Sequence, residues 1–214
     1  MLSARICLGV LLAASLNLRA EEPPKPLYEN NFEKAAVGKV PDEFLVLGGE
    51  FAVKEEGGNK FLELPGEPND SFGVLFGPTE AVGLSVKARI FGTSKGRRSP
   101  VFGVGLNGAN GHWLRVSPQK EELELVKEDE PVKAVPFKWK PGSWVCFQMQ
   151  VRETKPNEWV VEGKAWTEGD PEPKDWQLSL TLTEKPEAGR ASVRGSPFAN
   201  TPIRFDDLAV TRIK

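Results

Sequence analysis

Cysteine, histidine and tyrosine are almost missing from this chain: two, one and one in 214 residues. Cys7 falls in an N-terminal apolar run and Cys146 stands alone in the remainder, so a processed chain has no intramolecular disulfide. Charge of one sign is lacking too. The 28 basic and 30 acidic residues leave a formal net charge of −2, which gives no reason to expect nucleic acid or an anionic membrane as partner. Long apolar runs are confined to Ile6 to Leu16, too short to span a bilayer as a permanent helix. With Arg5 before it and Leu18-Arg19-Ala20 after it, that run reads as a signal peptide over residues 1–20, cleaved before Glu21. Cys7 lies inside the run rather than just after it, which argues against a lipid-modified N-terminal cysteine. Loss of Arg5 and Arg19 leaves 26 basic against 30 acidic residues, so the mature charge is about −4. Roughly 190 residues suffice for a proper core without disulfides, and that fits an exported protein of the bacterial periplasm or surface.

What is present is strand. In Ser143 to Trp166, Val145, Phe147, Met149 and Val151 alternate with Cys146, Gln148, Gln150 and Arg152, the period of a strand with one buried face. Pro156, within the polar loop Glu153 to Asn157, turns the chain. The return strand sets Trp159, Val161, Gly163 and Ala165 against Val160, Glu162, Lys164 and Trp166. A hairpin with one apolar face needs a second sheet to cover it, which implies a sandwich.

After a polar lead-in over 21–26, strand-like runs recur at 27–33, 50–54, 60–64, 72–76, 84–90, 101–106, 113–116, 123–127 and 132–137. Beyond the central hairpin they resume at 176–182, 190–194 and 203–213. Gly57-Gly58-Asn59 is a hairpin turn signal. No helical stripe and no internal repeat interrupts the pattern, and 18 prolines and 21 glycines punctuate it. The expectation is a single all-β domain over 27–214, a two-sheet antiparallel jelly-roll sandwich.

FGVGLNGANGHWLRV (Phe102 to Val116), LELVK (Leu123 to Lys127), SWVCFQMQV, AWTEGDPEPKDW (Ala165 to Trp176) and the closing FDDLAV, with NFE at Asn31 to Glu33, occur in that order. Together they resemble the concanavalin A-like lectin/glucanase jelly roll, in the laminin-G-like or domain-of-unknown-function type of exported planctomycete-like proteins. The resemblance implies two packed sheets with the first and last strands adjacent. It implies too that many members bind or process polysaccharides.

Retaining glycosidases of this fold carry Glu-x-Asp-x-x-Glu on one strand, with carboxyl groups about 5–5.5 Å apart. The acidic strand here, Glu121 to Glu128, lacks the central Asp. Glu122 and Glu124 share a face and read as a solvated pair. Lyases of the fold pair a His with a Tyr, and this chain owns one of each, His112 in a glycine-rich turn and Tyr28 at the start of the first strand. Nothing in the sequence brings them together, and a surface position is expected for His112. A Cys146–His112 nucleophilic pair has no third orienting group. Catalysis is therefore not expected, although a hydrolase or lyase remains the alternative, and a purely structural protein the second.

For binding, Trp166 lies on the polar side of its strand with Glu162 and Lys164, beside Gln148, Gln150 and Arg152. An aromatic ring rimmed by such groups suits a sugar; the other reading is that Trp166 anchors the loop Thr167 to Asp175. Trp113 with Arg115 forms a second patch, and Lys95, Arg97 and Arg98 a basic loop. The resemblance further implies a structural calcium held by Asp206 and by carbonyls around Asn31 and Glu33. No cofactor is otherwise required. A polysaccharide is the expected partner.

Overall fold

The computed structural model describes residues 25–66, 70–198 and 200–213; the signal peptide read over 1–20 lies outside them. There is no α-helix among the described residues. In chain order the strands are β1 (Tyr28–Asn30), β2 (Leu45–Gly48), β3 (Ala52–Glu56), β4 (Asn59–Leu64), β5 (Phe72–Glu80), β6 (Leu84–Gly92), β7 (Val101–Gly105) and β8 (Trp113–Ser117). They continue with β9 (Glu122–Lys127), β10 (Glu130–Pro136), β11 (Trp144–Lys155), β12 (Glu158–Thr167), β13 (Leu178–Leu182), β14 (Gly189–Ser196) and β15 (Ile203–Arg212). Two antiparallel sheets result, as the alternation requires. One runs β13-β12-β11-β6-β15-β4-β3, with β1 also on β15; the other runs β10-β9-β8-β7-β14-β5-β2.

The central hairpin is β11 and β12, in register from Val145 opposite Thr167 to Arg152 opposite Val160. Its turn is tighter than the polar loop suggests. Lys155 still faces Glu158, and Asn157 takes the bend with φ 62°. Val145, Phe147, Met149 and Val151 are buried, as are the β12 residues on the same face. Phe102 of the seven-stranded sheet meets Phe147 of the other edge-on, ring centroids 6.0 Å apart. Such a pair adds about 0.5–1.5 kcal/mol beyond the area it buries. At the turn of β3 and β4, Glu56 faces Asn59, leaving Gly57 and Gly58 as a two-residue loop with φ 63° and 83°. Both values are those of a type I′ turn, which favours glycine.

The last strand is shared. Ile203–Phe205 pairs with β4, and Leu208–Val210 pairs with β1, so the first and last strands are neighbours. Where one partner hands over to the other, the register of β15 against β6 slips between Asp206 and Ala209, and Asp207 adopts φ 49°. A bulge of this kind re-aims side chains.

Candidate functional site

The six residues read as a sugar platform do lie on one face of the eight-stranded sheet. Cross-strand pairs bring Gln148 to Lys164 and Gln150 to Glu162. The face is nevertheless tied to itself. Glu162 accepts hydrogen bonds from Gln150 Nε2 at 2.7 Å and Arg152 Nε at 2.9 Å. Burial alone pushes the Glu162 carboxyl up, but Arg152 and Gln150 outweigh it and hold it below the usual carboxylate range. Lys164 is buried, its ammonium bonded to the Pro173 carbonyl and the Glu172 carboxylate and packed over the Trp166 and Trp176 rings.

The loop 168–177 therefore straps the platform. Glu172 reaches on to Lys87 and Glu168 to Arg89, two strands farther across. Trp166 is half-buried, its ring facing the Lys164 ammonium that the strap holds. Only the Gln148 Oε1 acceptor of this group is left buried without a partner.

Asp206, read as a calcium ligand, is committed to protein partners. Asp206 is 1% exposed and both its oxygens are engaged. Oδ2 accepts from Arg89 Nη2 at 2.7 Å and Asn59 Nδ2 at 3.0 Å, and Oδ1 accepts from the Asp207 amide. A guanidinium stands where the ion was expected. Asn31 and Glu33 instead line a surface cavity of about 640 Å³ with Asp207 and Lys34, and Glu33 Oε1 is capped by the Lys60 amide at 3.0 Å. No group of three His, Cys, Asp or Glu side chains is arranged to hold a metal among the described residues. The Asp206 oxygens read as ligands are thus engaged by protein donors.

The proton-transfer candidates are far from poised. His112 is not at the surface but 8% exposed, because the turn 107–111 folds over it. Burial and the charge of Lys127 push its imidazole down to about 4. Tyr28 packs against Phe44 and Phe76, and burial lifts its hydroxyl to about 12. Cys146 lies on the outer face of the other sheet from His112, between Arg89 and Trp166. Burial followed by the charge of Glu168 raises its thiol.

A different face holds the most unusual chemistry. On β14, Ala191 and Val193 enter the core, which turns Arg190, Ser192 and Arg194 outward. Register then lays out two rows across the seven-stranded sheet. One reads Gly73, Arg194, Gly103, Arg115, Glu124; the next reads Leu75, Ser192, Gly105, Trp113, Val126. At the two glycines of β7 the neighbouring strands approach closely. A Cβ on Gly103 would overlap the Leu114 carbonyl, and one on Gly105 would sit 2.5 Å from Ser192 Oγ.

Trp113, 2% exposed, lies between guanidinium groups, with Arg115 at 5.0 Å and Arg194 at 5.9 Å from its ring centroid. Its indole N–H meets no acceptor among the described residues. Glu124 is not the solvated residue expected. It is 0% exposed and bonded to Arg115 Nε at 2.5 Å and Lys120 Nζ at 2.7 Å. Burial pushes its carboxyl up, and the two cations more than reverse this, so it stays ionised. Arg115 and Trp113 were legible in the sequence. Ser192 and Arg194 were not singled out, although their alternation with Ala191 and Val193 beside a Gly-x-Gly strand carries the signal.

No protein-family model matches the chain, and no curated sequence is significantly similar to it. Among solved structures it is similar to the carbohydrate recognition domain of Emp47p, with a TM-score of 0.60 at 9% identity over 92% of this chain and 100% of that one. Lectin II from Ulex europaeus matches at 0.54 and 11% identity, over 89% and 100% of the two chains. A PL-14 alginate lyase from Aplysia kurodai matches at 0.56 and 10%, over 88% and 99%. At such identities the likeness defines the fold, and the fold is the concanavalin A-like jelly roll.

Proposed function

We propose that this protein is an exported, noncatalytic carbohydrate-recognition module, and that it binds through the outer face of its seven-stranded sheet. The observation that carries the reading is the pair of rows just described. On that face the part-exposed Arg194 and Arg115 flank the buried Trp113 ring, and polar groups beside an aromatic surface suit a hydroxyl-rich ligand. The face around Trp166 offers less, since the loop 168–177 straps it. Two of the similar structures are named for carbohydrate recognition or as lectins, which supports the same ligand class.

A second reading, a polysaccharide-active enzyme, draws on the alginate lyase among the similar structures. Its candidate groups are otherwise engaged: Glu124 is held ionised by Lys120 and Arg115, and Tyr28 packs against Phe44 and Phe76. Affinity gels containing plant and algal polysaccharides, run beside an assay for new chain ends, separate the two. Retention without new ends is expected; release of ends would establish the enzyme, and indifference to every glycan would remove both readings.

A further inference from the structure

The basic loop of Lys95, Arg97 and Arg98 joins β6 to β7 at one end of the sandwich. It closes as a two-residue turn. The Lys95 amide donates to the Arg98 carbonyl at 2.9 Å and the Arg98 amide to the Lys95 carbonyl at 3.1 Å, with Gly96 at φ 65°. Such a reciprocal pair sets its two side chains directly opposite on one face, Cα atoms about 5.5 Å apart. Like charges placed so repel and cost stability. Arg97 occupies the tip beside them, and all three side chains are exposed. The Arg98 guanidinium lies 5.3 Å from the Phe198 ring centroid.

Two more cations stand at the same end. Lys138 and Lys140 flank Trp139, whose ring packs edge-on against Phe102 in the core, so both exposed lysines turn outward. Their segment is fastened to the base of the turn, since the Gly142 amide donates to the Gly92 carbonyl at 2.8 Å. None of the five cations forms an ion pair among the described residues. The neighbouring Glu121 takes the Phe137 amide through its carbonyl, and Glu168 is held by Arg89.

We infer that this end of the sandwich binds the acidic groups, carboxylate or sulfate, of an anionic polysaccharide. It rests on the carbohydrate reading above and adds a site apart from the seven-stranded face.

Charge and shape select this class among polyanions. An acidic polysaccharide is a narrow chain that can meet the positive end alone. The remainder of the protein, net negative, opposes a broad anionic surface such as a bilayer. The turn also lacks an apolar side chain to enter a membrane, since Ser94 and Ser99 flank the three cations and Gly96. Nor does it present an open ring on which a nucleic-acid base could stack, Trp139 being buried and Phe198 lying against Arg98.

The test uses the full chain and calorimetry with alginate (a polyuronate), carrageenan (a sulfated galactan), neutral laminarin, phosphatidylglycerol vesicles and single-stranded DNA. Binding to alginate or to carrageenan is expected, and which of them binds identifies carboxylate or sulfate as the group. A triple variant, Lys95→Gln with Arg97→Gln and Arg98→Gln, should weaken it at least about tenfold. Lys138→Gln with Lys140→Gln should weaken it by less. Raising sodium chloride to about 1 M should weaken the wild type, since screening then acts within about 3 Å. Arg98 lies over Phe198, so melting curves accompany the triple variant, and the lysine pair decides if it does not fold. Acidic-glycan binding that neither variant changes would remove the site. Binding of laminarin alone would overturn this inference and leave the carbohydrate reading standing. Tighter binding to vesicles or DNA than to either acidic glycan would overturn the ligand class. Binding of no glycan would overturn both readings.

Discussion

Arg89 and Asp206 form an ion pair of 2.7 Å between adjacent central strands, β6 and β15. Asp207 lies 2.9 Å from Arg89 Nε, a charge contact too poorly angled for a hydrogen bond. Glu168 takes Nη1 at 3.0 Å, and the Trp144 ring lies 4.6 Å beneath the guanidinium. One side chain thus joins the bulge of the last strand, the strap and the sheet.

Truncating Arg89 leaves Asp206 buried without its cation, a change that costs on the order of 3–5 kcal/mol. Arg89→Ala should lower the denaturation midpoint accordingly, and Asp206→Asn should lower it less. Wild-type protein should melt at the same temperature in calcium and in chelator, because both Asp206 oxygens are already occupied. A calcium-dependent rise in melting temperature would return the ion to this site.

His112 sets a pH dependence. Its pKa is about 4 in the fold against 6.5 as the ordinary value. Between those values the unfolded chain takes up a proton that the folded chain refuses, so stability is full above 6.5 and falls as pH drops toward 4. The difference amounts to on the order of 3 kcal/mol. Urea midpoints at pH 7 and pH 4.5 should differ more for wild type than for His112→Asn; equal shifts would place the titration elsewhere.

Gly163 marks a close approach of the two sheets. A Cβ there would lie 2.7 Å from Leu114 Cδ1 and 2.9 Å from Cδ2. Gly163→Ala should cost about 1–3 kcal/mol by overpacking, and Leu114→Val in the same chain should recover part of it. Chemical denaturation of the two variants checks both.

Processing is expected to remove residues 1–20. Intact mass of protein recovered outside the cytoplasm should correspond to a chain beginning at or near Glu21; a retained Met1 would rule out the cleaved signal.

Much of this was readable beforehand, because period-2 alternation and turn residues are local properties. The Val145 to Val151 face, the Gly57-Gly58 turn and the return strand to Trp166 all follow from neighbours in sequence. Strand β2 does not. Leu45, Val46 and Leu47 are all exposed, so no alternation marks them, and their strand character comes from pairing with β5. The strap over Lys164 and the Arg89–Asp206 pair depend on register between distant strands, which fixes who meets whom but leaves no local trace. Trp113, Arg115 and Glu124 were visible as residues. Their burial was not, because it comes from stacking across glycine strands.

The placement of β15 bears on how the chain acquires this shape. It lies inside its sheet, between β6 on one side and β4 and β1 on the other. Until residues 203–212 leave the ribosome, the elements from the first half of the chain have a gap where their common partner belongs. Assembly must wait for the final segment, and contacts of such wide sequence separation are slow to form. Until then that sheet remains in two halves, β13-β12-β11-β6 and β4-β3, with a missing plank between them.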